Sequence, residues 1–110
     1  MKKQKKDKPH CERLHDGKYW WLYDELHREN GPAVILYDGT KEWYIHGNLH
    51  REDGPAVEYG YDGGPDGDER GIPNSKEYWL RGRKYTRKTY YKTLYRWKRI
   101  TKEEMFINLI

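Results

Sequence analysis

Leu26-His27-Arg28-Glu29-Asn30-Gly31-Pro32-Ala33-Val34 returns 23 residues later as Leu49-His50-Arg51-Glu52-Asp53-Gly54-Pro55-Ala56-Val57. Extended back to Trp20 and Trp43, nine of fifteen aligned positions are identical and no gap is needed. A fixed period of this length marks a repeat array, in which each unit buries its apolar face only against its neighbours. Every other feature of the chain is read around these two blocks.

Weaker copies flank them. Asp16-Gly17-Lys18-Tyr19-Trp20 echoes Asp38-Gly39-Thr40-Lys41-Glu42-Trp43, one residue shorter. Lys76-Glu77-Tyr78-Trp79-Leu80-Arg81-Gly82 echoes Lys41-Glu42-Trp43-Tyr44-Ile45-His46-Gly47, but Lys84-Tyr85-Thr86-Arg87 stands where Leu-His-Arg-Glu would follow. A degraded last copy suits an array end, which has no further unit to stack on.

Each unit reads as a hairpin. Ala33-Val34-Ile35-Leu36-Tyr37 is a short apolar run ending in Asp38-Gly39, a favoured hairpin turn. Lys41 to Ile45 returns as the partner strand, His46-Gly47-Asn48 turns the chain again, and Leu49-His50 is briefly extended. Arg51 to Pro55 is too polar and too rich in turn formers to continue as a strand, so a tight turn is expected there. Isolated hairpins are marginal, so these must lie side by side. The predicted fold is mainly β, an antiparallel β-hairpin repeat sheet with a short C-terminal helical segment.

Composition agrees with a sheet. The chain has 110 residues, 35% hydrophobic and 36% charged, with eleven Tyr, five Trp and one Phe. Aliphatic side chains are too few for a Leu-striped bundle, so Trp43, Tyr44, Val57 and Tyr59 are expected to pack on Trp20, Trp21, Val34 and Leu36. The predicted organisation is a basic N-terminal tail over 1–12, repeats over 13–85 with an inserted acidic, Gly-rich loop at 60–75, and a basic aromatic segment over 86–110.

The pattern resembles the MORN-repeat group, in the variant carrying Leu-His-Arg-Glu-Asp-Gly-Pro-Ala. Trp43-Tyr44, Gly47, the run from Leu49 to Ala56 and the matching set from Trp20 to Ala33 carry the resemblance, over about residues 13–85. Asp24 departs from it where Gly47 stands in the next unit. The resemblance implies small proteins of bacteria, bacteriophages and giant viruses, and repeats that act as scaffolds or binding surfaces.

The net charge of +4 conceals a segregation: +4 over residues 1–8, −8 over 9–75 and +8 over 76–110. No run approaches 18 apolar residues, so no membrane span is expected. The basic N-terminus precedes no apolar segment and does not read as a signal peptide. The single Cys11 fits a reducing, cytoplasmic setting, or the host cytoplasm for a phage-encoded chain.

The C-terminal segment interleaves aromatics with bases. Tyr91, Leu94 and Tyr95 fall on one helical face, whereas Tyr91, Thr93, Tyr95 and Trp97 alternate as on a strand. Competent helix formers tip the reading towards a helix. Thr101-Lys102-Glu103-Glu104 reads as a capping box for a short second helix through Met105, Ile107, Leu109 and Ile110.

His-Arg-Glu invites a catalytic reading at 27–29 and 50–52. Its repetition speaks against one, since chemistry needs a single arrangement and a structural turn recurs in every unit. Arg28, Glu29, Arg51, Glu52 and Asp53 are therefore assigned to the turns, with Arg pairing to carboxylates and carboxylates to backbone N–H groups. His10, Cys11 and His15 lack a fourth ligand for zinc. The spacing of Asp62, Asp66 and Asp68 misses the helix-loop-helix calcium pattern. No phosphate-binding loop or nucleophile motif is present, and no cofactor, metal or enzymatic activity is expected.

Two functions follow. The first is a protein-interaction module contacting its partner through Asp66, Asp68, Glu69, Tyr90, Tyr91, Tyr95, Arg96 and Trp97, residue types that suit interface hot spots. The resemblance suggests a phage-type accessory protein or inhibitor acting on a host protein. The alternative is nucleic-acid binding through Arg87, Lys88, Lys92, Arg96, Lys98 and Arg99, with aromatics stacking on bases.

Overall fold

The computed structural model describes residues 7–60 and 75–110. The loop candidates Asp66, Asp68 and Glu69 lie outside the described residues. Ten short strands precede two helices: β1 (His10–Leu14), β2 (Gly17–Leu22), β3 (Glu25–Leu26), β4 (Val34–Leu36), β5 (Lys41–Glu42), β6 (Tyr44–Ile45), β7 (Asn48–Leu49), β8 (Val57–Glu58), β9 (Lys76–Leu80), β10 (Arg83–Tyr85), α1 (Arg87–Arg96) and α2 (Lys102–Leu109). Every pairing is antiparallel. The main sheet runs β1-β2-β4-β5-β8-β9-β10, with β3 paired to β2, while β6 and β7 form a separate hairpin. The chain is thus mainly antiparallel β with a helical C-terminal segment.

Each unit divides its strands between two ladders. In the second, β5 pairs with β4, Val34 opposite Glu42, and Trp43 keeps the main-sheet register with its N–H on the Ala56 carbonyl at 2.8 Å before the chain leaves that sheet. The single return strand expected over Lys41–Ile45 is therefore two, one on either side of Trp43. Tyr44–Ile45 turns through His46-Gly47 and pairs with Asn48–Leu49. The turn has positive φ at both central residues, 48° and 80°, the signature of a primed hairpin turn. The same turn recurs at Tyr23-Asp24 (51°, 61°) and at Arg81-Gly82 (53°, 78°). Asp24 thus adopts the left-handed conformation that Gly47 adopts, and the degraded third copy keeps its hairpin as β9 and β10. Asp and Asn tolerate that region better than most residues.

Pairing begins at His10, inside the segment assigned to the N-terminal tail, and β1 lies exposed along the sheet edge. Gly17 matters for close approach. A Cβ there would run into the backbone of Ile35 and Leu36, so only glycine lets β2 lie this near β4.

The expectation that Trp and Tyr rings form the core holds at Tyr90, which is fully buried, and is corrected within the repeats. Ala33, Val34, Ala56 and Val57 are buried, while Trp20, Trp21, Trp43 and Trp79 are half-buried. The sheet is thin, so small residues fill its centre and the large rings form its outer skin. A second cluster joins Leu80, Tyr90 and Leu94, with Tyr78, Tyr85, Tyr91, Trp97 and Ile100 around them. Each buried aliphatic side chain contributes about 1.5–3 kcal/mol, so α1 is held by a handful of contacts.

Thr86 caps α1 by accepting the Thr89 N–H at 3.2 Å. Its buried face is Tyr90, Thr93 and Leu94, one residue round from the Tyr91, Leu94 and Tyr95 face expected from spacing. The hydroxyl of Tyr90 decides the rotation, as described below. At α2 the capping box is complete: Glu104 N–H donates to the Thr101 hydroxyl at 3.1 Å, and Thr101 N–H to the Glu104 carboxylate at 2.8 Å.

Candidate interaction surface: two turns and a capping helix

The two Leu-His-Arg-Glu blocks have the same backbone assignment at every one of their nine positions. The bonds match as well. His27 N–H donates to the Trp20 carbonyl and His50 N–H to that of Trp43, both at 3.0 Å. His27 Nδ1 accepts the His46 N–H at 2.8 Å, and His50 Nδ1 accepts the Arg81 N–H at 2.9 Å. The other ring nitrogens face carboxylates, His27 Nε2 that of Glu29 at 3.2 Å and His50 Nε2 that of Glu52 at 3.1 Å. An Nδ1 that accepts a hydrogen bond leaves the neutral ring its proton on Nε2. Both nitrogens of each ring are therefore engaged within the fold. Each histidine ties its own turn to the hairpin of the following unit.

The arginines sit over tryptophan rings. Arg28 Cζ is 3.9 Å from the centre of the Trp20 ring, and Arg51 Cζ is 3.8 Å from that of Trp43. Arg28 donates to the Pro32 carbonyl at 3.1 Å and Arg51 to that of Pro55 at 3.0 Å. Gly31 and Gly54 leave room for this: a Cβ on either would come within 3.2 Å of the guanidinium carbon, at 3.2 Å from Arg28 and 3.1 Å from Arg51. Glu29 and Glu52 each face the histidine of their own turn, and the arginine–carboxylate pairing expected of the turns is present in the second, between Arg51 and Asp53.

Past this shared frame the turns differ. Arg51 Nε donates to Asp53 at 2.9 Å and Nη1 to Glu58 at 3.0 Å. The matching positions beside Arg28 are Asn30 and Ile35. Arg28 forms no ion pair among the described residues.

α1 closes the second turn. The Tyr90 hydroxyl accepts the Gly54 N–H at 3.1 Å and points its proton at the carbonyls of Gly54 and Arg51. Its ring packs on Tyr78, centroids 4.8 Å apart, where the earlier units have arginine on tryptophan. Burial, above all, raises the Tyr90 phenol well above its ordinary value, and burial together with nearby Glu42 pushes the Tyr44 phenol up to about 12. Glu42 is itself raised, chiefly by burial, against the lowering effect of the Tyr44 hydroxyl.

The aromatic candidates are therefore mostly spent on structure. Tyr90 is fully buried and cannot touch a partner. Tyr91 is half-buried beneath Arg87, and Trp97 carries the Arg81 guanidinium at 4.1 Å. Tyr95 and Arg96 remain exposed. Among the basic candidates Arg87, Lys88, Lys92, Arg96 and Lys98 are exposed with no ion pair among the described residues, while Arg99 binds Glu52 at 3.0 Å. Lys88, Lys92 and Arg96 follow one another at four-residue spacing along one face of α1. No group of three or more His, Cys, Asp or Glu among the described residues could hold a metal ion. No described helix is long and apolar enough to cross a membrane.

Comparison with known protein families, curated proteins and solved structures gives no match.

Proposed function

We propose that the chain is a non-enzymatic interaction module that binds a protein partner through the outward face of α1. One observation carries the reading: α1 commits Tyr90, Thr93 and Leu94 to the repeat and turns Lys88, Lys92, Tyr95 and Arg96 outward. Tyr95 and Arg96 combine apolar area with a polar handle, the chemistry of an interface anchor, and the lysines steer an acidic surface towards them. The His-Arg-Glu blocks supply rigidity, because the imidazole bonds and the arginine seat over tryptophan recur in both turns. A host protein as partner is the expectation attached to the MORN-type resemblance.

A nucleic acid is the second reading, favoured by the same row of unpaired cations. The burial of Tyr90 and the arginine covers on Tyr91 and Trp97 remove most of the stacking that single strands use, leaving phosphate contacts.

Affinity capture from lysate with and without nuclease separates the two, comparing the wild-type chain with Lys88→Gln/Lys92→Gln/Arg96→Gln. A protein retained after nuclease and lost from the triple variant supports the module. Material lost on nuclease treatment, bound with a steep salt dependence, supports nucleic acid and overturns it.

A further inference from the structure

A cleft of about 730 Å³ opens between the two turns, walled by Arg28 and Gly31 on one side and by Trp43, Ile45 and Glu52 on the other, with Arg99 at its rim. The molecule contains a worked example of how this environment is completed, because the second turn repeats the first. There the guanidinium lying on tryptophan receives carboxylates on two sides, from Asp53 and Glu58, and Tyr90 covers the turn backbone. Gly54 and Pro55 are consequently buried, whereas Gly31 and Pro32, at the matching positions, are half-open.

At the first turn the guanidinium has the same seat and the same carbonyl partner, but neutral Asn30 and Ile35 replace the acids. The acidic residues on the cleft walls are engaged elsewhere: Glu29 with His27, Glu52 with His50 and Arg99, and Asp53 with Arg51. Arg28 is the guanidinium of the cleft without a carboxylate among the described residues. Its seat over Trp20 and its bond to the Pro32 carbonyl hold it in place for an incoming carboxylate.

We propose that this cleft docks an acidic peptide segment of a partner protein, one carboxylate of which pairs with Arg28 as Asp53 and Glu58 pair with Arg51. The proposal rests on the reading of the chain as a protein-interaction module, adds a surface separate from the face of α1, and gives the partner's chemistry. Carboxylate is the chosen ligand because carboxylate is what the duplicate site holds.

The test follows the Nε–H resonances of Arg28 and Arg51 in the full ¹⁵N-labelled chain during titration with an octaglutamate peptide and, separately, an eight-nucleotide single strand. The peptide is expected to shift Arg28 saturably and leave Arg51, already bonded to Asp53, nearly still. Asn30→Asp, which copies the second turn, should shift Arg28 without peptide and weaken peptide binding there about tenfold, with an otherwise unchanged backbone spectrum. Equal movement of both arginines, no movement of Arg28, or movement with the oligonucleotide alone overturns the proposal. Peptide-induced shifts confined to α1 also overturn the cleft, yet leave the module standing. The module fails separately, if nuclease-resistant capture yields no partner.

Discussion

The first and second turns share eight of nine residues and the same histidine tethers, and differ in what is placed beside the arginine. The second is finished: two carboxylates hold its arginine and a tyrosine hydroxyl covers its backbone. The first has the frame without the finish. The difference shows that the Leu-His-Arg-Glu block and its tether to the next hairpin suffice for the turn, and that the residue at Asn30 or Asp53, together with what packs outside the block, decides whether the turn is sealed. Sealing falls to the last unit because the array ends there and α1 takes the place of the missing block.

The largest expected effect that could break this contrast comes from base. The Tyr44 hydroxyl bonds Glu42 and the Tyr90 hydroxyl covers the second turn, and both phenols are raised in the folded chain from an ordinary value near 10. A raised folded value means the folded chain holds its proton more tightly. The stability tied to it is complete below about pH 10 and is lost as pH climbs from 10 through 12 and beyond. Urea melts from pH 8 to 12 should weaken steeply over that span, in step with tyrosinate absorbance, and Tyr90→Phe should lose part of the dependence.

At neutral pH, Tyr90→Phe removes the hydroxyl and strands a buried N–H and carbonyls at Gly54 and Arg51. A loss of about 2–3 kcal/mol is expected from urea denaturation. No substitution at the open side of the first turn should cost as much. His27→Ala follows, at about 2 kcal/mol, because its ring is 1% exposed and makes two bonds; His50→Ala, at 16% side-chain exposure, should cost less. Arg51→Gln gives up two carboxylates and should cost about 1–1.5 kcal/mol, against about 0.5 for Arg28→Gln. The smallest effect has the opposite sign. Asn30→Asp/Ile35→Glu should stabilise by up to about 1 kcal/mol by giving the first turn the second turn's pairs, read as a higher urea midpoint. Equal losses at Arg28 and Arg51 would erase the contrast.

Much of the frame was legible in the sequence because it is written twice. The period fixed the turns, Asp38-Gly39 marked the β4–β5 hairpin, and Thr101–Glu104 marked the start of α2, all from local chemistry. The break at Trp43 was not legible, because it depends on which partner each side takes: Trp43 stays bonded to Ala56, while Tyr44 and Ile45 pair with Leu49 and Asn48. The face of α1 was off by one residue for a similar reason. Spacing ranks Tyr91, Leu94 and Tyr95 by hydrophobicity, whereas the fold turns the helix so that the Tyr90 hydroxyl meets a backbone 36 residues away. Composition pointed to ring-filled packing, yet the repeated Ala-Val pair takes the centre, since a thin sheet has no depth for indoles. The unpaired state of Arg28 was present in the alignment as Asn30 against Asp53 and Ile35 against Glu58. Those two mismatches carry no weight until the structure shows that their counterparts hold the same guanidinium.

The most direct measurement is the tautomeric state of His27 and His50 by long-range ¹H–¹⁵N correlation at neutral pH. Both rings should carry the proton on Nε2, with Nδ1 held as an acceptor by the N–H of His46 and of Arg81. A proton on Nδ1 in either ring, or averaging between tautomers in one and not the other, would contradict two turns built alike.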